Sequence, residues 1–144
     1  LNAVPGFPGI REAQEGEFEN LSLNFLDPDS FRERFSDVVH GEDAWGATQY
    51  WYYTDTNEIH TAAIGYRTDI PQLDRSSIIL EEIVNTLGIS DSERRSDSIV
   101  YQHSNDNLQL SVIDWLLLEL LYHPDIDTAM DAEMCEKVIR DLYY

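Results

Sequence analysis

From Glu81 to Asp91 the chain reads EEIVNTLGISD: two adjacent carboxylates, a carboxamide at Asn85, a glycine at Gly88 and a further carboxylate at Asp91. Residues four apart share one face of a helix, so Glu81 and Asn85 project together with Glu82 beside them. Gly88 suits the left-handed position that ends a helix, and three residues later the chain presents Asp91. Without a counter-ion, Glu81, Glu82 and Asp91 crowd negative charge, which is expected to raise the pKa of at least one of them. The other reactive side chains form no comparable set. His40, His60, His103 and His123 never fall at the spacing of two ligands on one helix, so each reads as a surface or structural histidine. His103 alone sits in a loop able to fold back toward Asp91. Cys135, the sole cysteine, shares helical spacing with Val138 and Ile139, the pattern of a packed thiol rather than a nucleophile.

The elements that must hold these residues follow from periodicity. From Ser76 onward, Ile79, Ile83 and Leu87, joined by Leu80 and Val84, recur at helical spacing and predict a central helix closed by Gly88. Upstream, LSLNFLD alternates Leu21, Leu23 and Phe25 with polar neighbours, as a half-buried strand does. Asp29 or Ser30 then caps a helix carrying Phe31, Phe35, Val38 and Val39. Thr48–Thr54 and Glu58–Arg67, rich in aromatic and β-branched residues around the turn-forming TDTN, predict two strands of a hairpin. Tyr50, Trp51, Tyr52 and Tyr53 alternate across the first of them, so half should be core and the exposed half is able to bind a peptide or glycan.

Downstream, a polar loop of roughly twenty residues, Ser90 to Gln109, has the length of functional loops. Ser111 and Asp114 fit a capping box that opens a helix ending before Pro124. That helix is apolar almost all round and is expected to be buried. A last amphipathic helix runs from Asp131 to Leu142, with Ala132, Cys135, Val138, Ile139 and Leu142 facing inward. Residues 1–20 hold two prolines and three glycines without a period and read as an N-terminal arm or loop. No internal repeat or second domain is visible.

These residues resemble the metzincin zinc peptidases, whose frame is H-E-x-x-H-x-x-G-x-x-H. On that frame Glu82 takes the place of the catalytic glutamate and Gly88 that of the glycine, while Glu81, Asn85 and Asp91 stand where the three histidines would be. The matrixin-like branch adds a "SIM"-plus-aromatic turn beneath the metal, then "LS", an Asp and a helix closing with "LYG". Here Ser98-Ile99-Val100-Tyr101 has the first form, with valine for methionine, and Leu110, Ser111, Asp114, Leu121 and Tyr122 have the second. The likeness spans Ser76 to Pro124. The chain is also similar to a bacterial family of unknown function, many of whose members are read as lipoproteins, through "EEI...LG..DS", "DSI" plus an aromatic, "D..LL..LYHP" and a late Met130.

What the resemblance implies is an α+β, zincin-like domain over residues 21–144, with a mixed sheet in the first half, then a central helix, a buried helix and a C-terminal helix. Gly88, Ser98, Val100 and Tyr101 would form its structural turn. Its ligand positions, however, carry Glu81, Asn85 and Asp91, hard oxygen groups that serve zinc poorly and Ca²⁺, Mg²⁺ or Mn²⁺ only weakly. The implied protein is a catalytically inactive binding or interaction module with no cofactor beyond a weakly held divalent cation. The alternative is an active metal-dependent peptidase with an oxygen-ligand site and Glu82 as general base.

Bulk composition narrows the partners. The formal net charge is −19, from 28 acids against 9 bases, with Lys137 the sole lysine. Such a field repels phosphate backbones, which excludes DNA and RNA, and it favours cations and basic protein or peptide partners. At 144 residues the chain can bury about 68–70% of its unfolded surface, as a single domain does. Its longest apolar run, VIDWLLLELLY, is too short to span a bilayer. A start at Leu1 rather than Met is read as trimming of a signal or lipid-attachment segment, and the protein is expected outside the cytoplasm. Oligomeric state is left open.

Overall fold

Alternating apolar side chains draw Leu21–Leu26 (β1), Gly46–Tyr52 (β2) and Ile59–Arg67 (β3) into one mixed sheet of order β1-β3-β2. β1 runs parallel to β3, with Leu21 opposite Ala62 and Leu26 opposite Arg67. β2 runs antiparallel to β3, with Gly46 opposite Tyr66 and Trp51 opposite Thr61, and an irregularity follows at Trp51/Tyr52. The architecture is a computed structural model in which residues 1–41, 44–104 and 106–144 are described. Asn105, inside the expected long loop, lies outside them. No helix among the described residues is long and apolar enough to cross a membrane.

Helices cover the two faces of the sheet. Pro28–Arg34 (α1) brings Phe31 and Phe35 into a cluster with Ala47 and Ala63, one face of β2 and β3. Gln72–Thr86 (α2) brings Ile78 against Tyr66 on the other face. The central strand β3 is therefore buried on both sides: Ala62, Ala63, Ile64 and Tyr66 are all at most 4% exposed. Val112–Leu121 (α3) and Ala132–Tyr143 (α4) complete the chain.

Several boundaries differ from expectation for identifiable reasons. Asp27, not Asp29 or Ser30, caps α1; its carboxylate accepts from the backbone N–H groups of both those residues. The helix stops at Arg34, so Val38 and Val39 belong to the connection, where Val39 still packs on the Phe31 cluster. β2 begins and ends two residues earlier than its aromatic content implies. α2 starts at Gln72 rather than Ser76; its first turn does not show in the apolar period because Leu73 is 88% exposed and faces away from the core.

The two late helices are less buried than their composition predicts. In α3 only Asp114 and Leu118 are buried, while Val112, Ile113, Leu117 and Leu121 are exposed. It rests on loops and on the N-terminal arm, whose Phe7 ring meets Tyr122 edge-on at 4.9 Å, so its outer side is left uncovered. α4 begins at Ala132, one residue after the expected start, with Asp131 as its N-cap, and no residue of that helix is buried: Cys135, Val138 and Ile139 are half-covered, and Ala132 and Leu142 are exposed. The capping box of Ser111 and Asp114 forms as expected.

Close approach fixes one position in the sheet. A Cβ on Gly65 would lie 2.3 Å from Phe35 Cε2, inside the ring packed on it. Gly65→Ala is expected to lower unfolding stability by about 1–3 kcal/mol, read from urea midpoints at unchanged slope. A midpoint equal to wild type would show that Phe35 is not wedged against β3.

Candidate functional site

The cleft between sheet and helix is built from the contact of β2 with α2. Even-numbered residues of β2 face α2, and its first residue, Gly46, allows the closest approach. A Cβ there would stand 2.6 Å from Glu82 Oε1 and 2.7 Å from Ile78 Cγ2. The next residue on that face, Thr48, holds Glu82 directly. Its hydroxyl lies 2.6 Å from Glu82 Oε2 and 3.0 Å from the Glu82 carbonyl oxygen. One hydroxyl proton cannot serve both acceptors. The pair is fully satisfied when Glu82 is protonated and donates back to Thr48, leaving the threonine proton for the carbonyl.

Beyond Glu82 the helix turns and closes. Gly88 adopts φ +100°, the left-handed cap its position predicts, and its N–H donates to Asn85 O at 3.1 Å. The chain then returns, so that Asn85 Nδ2 donates to Asp91 Oδ1 at 3.2 Å. Asn85 Oδ1 is buried and meets no donor among the described residues. Glu81, Glu82, Asn85, Gly88 and Asp91 thus line one cleft of about 360 Å³, together with His40, Gly46, Thr48 and Tyr50. No lysine or arginine is among its lining residues.

Two of these carboxyls are raised, by burial first and by crowding second. Burial, then repulsion from Glu82 and Asp91, pushes the Glu81 carboxyl up to about 8. Glu82, 8% exposed, is pushed up to about 7, chiefly by burial, with Asp91 adding to the rise and hydrogen bonds from Thr48 and Asn85 opposing it.

Residues 10–141 match a family described as "Protein of unknown function (DUF2927)". The chain belongs to this family. No curated protein and no solved structure matches it. The matched span of the DUF2927 domain includes the cleft, the strand β2 beside it and the network behind it.

That network is centred on Asp114. The carboxylate accepts from Ser98 Oγ at 2.6 Å, Ile99 N at 2.9 Å, Ser111 N at 3.0 Å and Arg95 Nη2 at 2.8 Å. Burial pushes its pKa up, but the bonds from Ser98, Ile99, Ser111 and Arg95 outweigh it and hold the acid below its ordinary value. The turn Ser98–Tyr101 is thereby tied to α3, and its Ile99 and Val100 join Val84 in one buried cluster. Val84 lies two residues, about 200°, round the helix from Glu82, so Val100 backs the turn that faces the cleft. Tyr101 bridges to Ser92, and its ring meets His103 at 5.4 Å; His103 does not line the cleft.

In this DUF2927 chain the fit to zinc is poor. The three positions supply a carboxylate, a carboxamide and a carboxylate, and the amide and Asp91 are spent on each other. Gly46, Thr48, Tyr50 and His40 were not expected at the site. Thr48 lies 34 positions from Glu82, and nothing local in β2 announces that contact.

Two outcomes are expected. A carboxyl whose folded pKa is raised stabilises the fold fully below its unfolded value near 4.5 and loses that contribution as pH rises through 7 to 8. Unfolding free energy should therefore fall across that window, by on the order of 1–3 kcal/mol for Glu82 and less for the more exposed Glu81. Glu82→Gln, which mimics the protonated acid, should flatten the slope and gain stability at pH 8; an unaltered slope would show that Glu82 titrates normally. Asp114→Ala strands four donors and should cost about 3–5 kcal/mol in chemical denaturation. A loss below ~1 kcal/mol would mean that the turn does not depend on it.

Proposed function

We propose that this domain is a metzincin-like scaffold without standard zinc catalysis, serving outside the cytoplasm as a binding module for an extended protein or peptide segment. One observation carries the reading: Glu81, Glu82, Asn85, Gly88 and Asp91 gather in a single cleft beside β2, an edge strand whose outer side pairs with no described strand. An extended segment adds to such an edge through backbone hydrogen bonds, while pockets beside it select side chains. Tyr50, Trp51, Tyr52 and Tyr53, each between 40% and 54% exposed, offer contact area there. Val100 behind the cleft-bearing turn supports the zincin likeness.

A second reading, a peptidase with Glu82 as general base, is favoured by one specific feature. A buried carboxyl pushed up to about 7 is matched to proton transfer at neutral pH. A general peptidase assay, run with and without added zinc, calcium or manganese and with Glu82→Gln as control, separates the two. No Glu82-dependent cleavage is expected; cleavage abolished by Glu82→Gln would replace the binding reading with the catalytic one.

A further inference from the structure

One half of α3 is aliphatic and lies open to solvent. Positions on a helix turn by about 100° per residue, so Val112, Leu116, Leu120, Ile113, Leu117 and Leu121 follow one another round an arc of about 180°. No polar side chain interrupts them. Val112, Ile113, Leu117 and Leu121 are between 38% and 84% exposed, and Leu116 and Leu120 are half-buried among them. The opposite side carries Asp114 and Leu118, both buried, and Glu119 stands at the border next to Val112. Single aliphatic residues scattered over a surface are ordinary, whereas a continuous half-helix of them marks a surface of association. No other helix or strand among the described residues comes within 8 Å of α3 between Cα atoms, so the sheet and its helices leave the arc uncovered.

Area and charge indicate what covers it. The chain exposes 9790 Å² of surface. A self-contained monomer of 16.6 kDa exposes about 7,600 Å². The excess of about 2,200 Å² exceeds the ~800 Å² that each partner contributes to an interface of standard size. The arc offers no hydrogen-bonding group or charge with which to select a different chain, but aliphatic surface of this kind is complementary to itself, as in homodimer interfaces. A twofold axis across the middle of α3 sets two copies antiparallel, with each helix N-terminus beside the other's C-terminus. At a net charge of −19 any second copy is repelled, and that repulsion is least direct at an arc with no charged side chain. Asp114, the nearest acid in sequence to its centre besides Glu119, is turned inward and tied to Arg95.

We propose that the domain forms a twofold dimer in which the outer arc of α3 is covered by α3 of a second copy. None of the six arc residues lines the cleft beside β2, so the dimer stands or falls independently of the binding reading above.

The test is sedimentation equilibrium of the full chain between about 1 and 300 µM, the range over which a weak interface of standard size becomes populated. A mass twice that of the chain is expected at the upper end. Leu117→Gln and Ile113→Gln, each shown to be folded by near-ultraviolet circular dichroism, should each weaken the dimer by about tenfold or more. Leu73→Gln removes an aliphatic residue that is 88% exposed on α2 and should leave the dimer unchanged. Raising the salt from about 0.05 to 0.5 M should tighten it, because screening removes like-charge repulsion while apolar contact persists. A monomer at every concentration would overturn the proposal and assign the arc to a different chain or to a further segment of this one. A dimer that persists in both α3 variants, or that Leu73→Gln dissolves as readily, would put the interface elsewhere and overturn it equally. A dimer loosened by salt would be held by charge pairing rather than by the aliphatic arc, which also sinks the idea.

Discussion

A carboxyl group placed between a helix and a strand, away from most water, sets the terms for the rest of this domain. Glu82 packs against Gly46 and is held by Thr48, so α2 can approach β2 only because β2 begins with a residue that has no side chain. Burial of that kind is unfavourable to a charge, and the group responds by keeping its proton to higher pH. Asp114 makes the opposite arrangement. It too is buried, but four donors converge on it, and it stays ionised. The two acids lie on different sides of the α2 turn that carries Val84. One is a saturated structural anion that fastens the Ser98–Tyr101 turn to α3, and the other is an acid of raised pKa paired with Thr48.

This asymmetry explains why the cleft survives as an open feature. The turn behind α2 is pinned by Asp114, and the sheet in front is fixed by the double-sided burial of β3, so neither wall can collapse inward. Gly88, at φ +100°, then lets the chain return sharply enough for Asp91 to reach Asn85. A helix continuing past Gly88 would carry that acid away. The cleft thus arises from a tight helix cap, a missing side chain at Gly46 and a strongly held turn, each of which acts on a different element.

Local text carried much of this. Spacing alone placed Glu81, Asn85 and Glu82 together and predicted the glycine cap, because both depend on interactions within a few residues. The capping box of α3 was legible for the same reason. Long-range complementarity was not. Thr48 and Gly46 meet Glu82 across 34 and 36 positions, and neither residue type advertises a buried partner. The exposure of α3 and α4 was hidden as well. Leu117 and Leu121 look like core in sequence, but whether an apolar helix is covered depends on what the topology lays across it, and here the arm and loops cover one side only.

An uncovered strand edge beside exposed aromatics is ordinarily a hazard, since it templates pairing with another copy. In this chain a second copy would bring another net charge of −19 to the same place. Screening at physiological salt confines that repulsion to about 8 Å, yet strands that pair approach within ~5 Å, well inside its range. Repulsion therefore acts where self-association would begin. Negative charge on this domain accordingly opposes pairing of one copy's strand edge with another's.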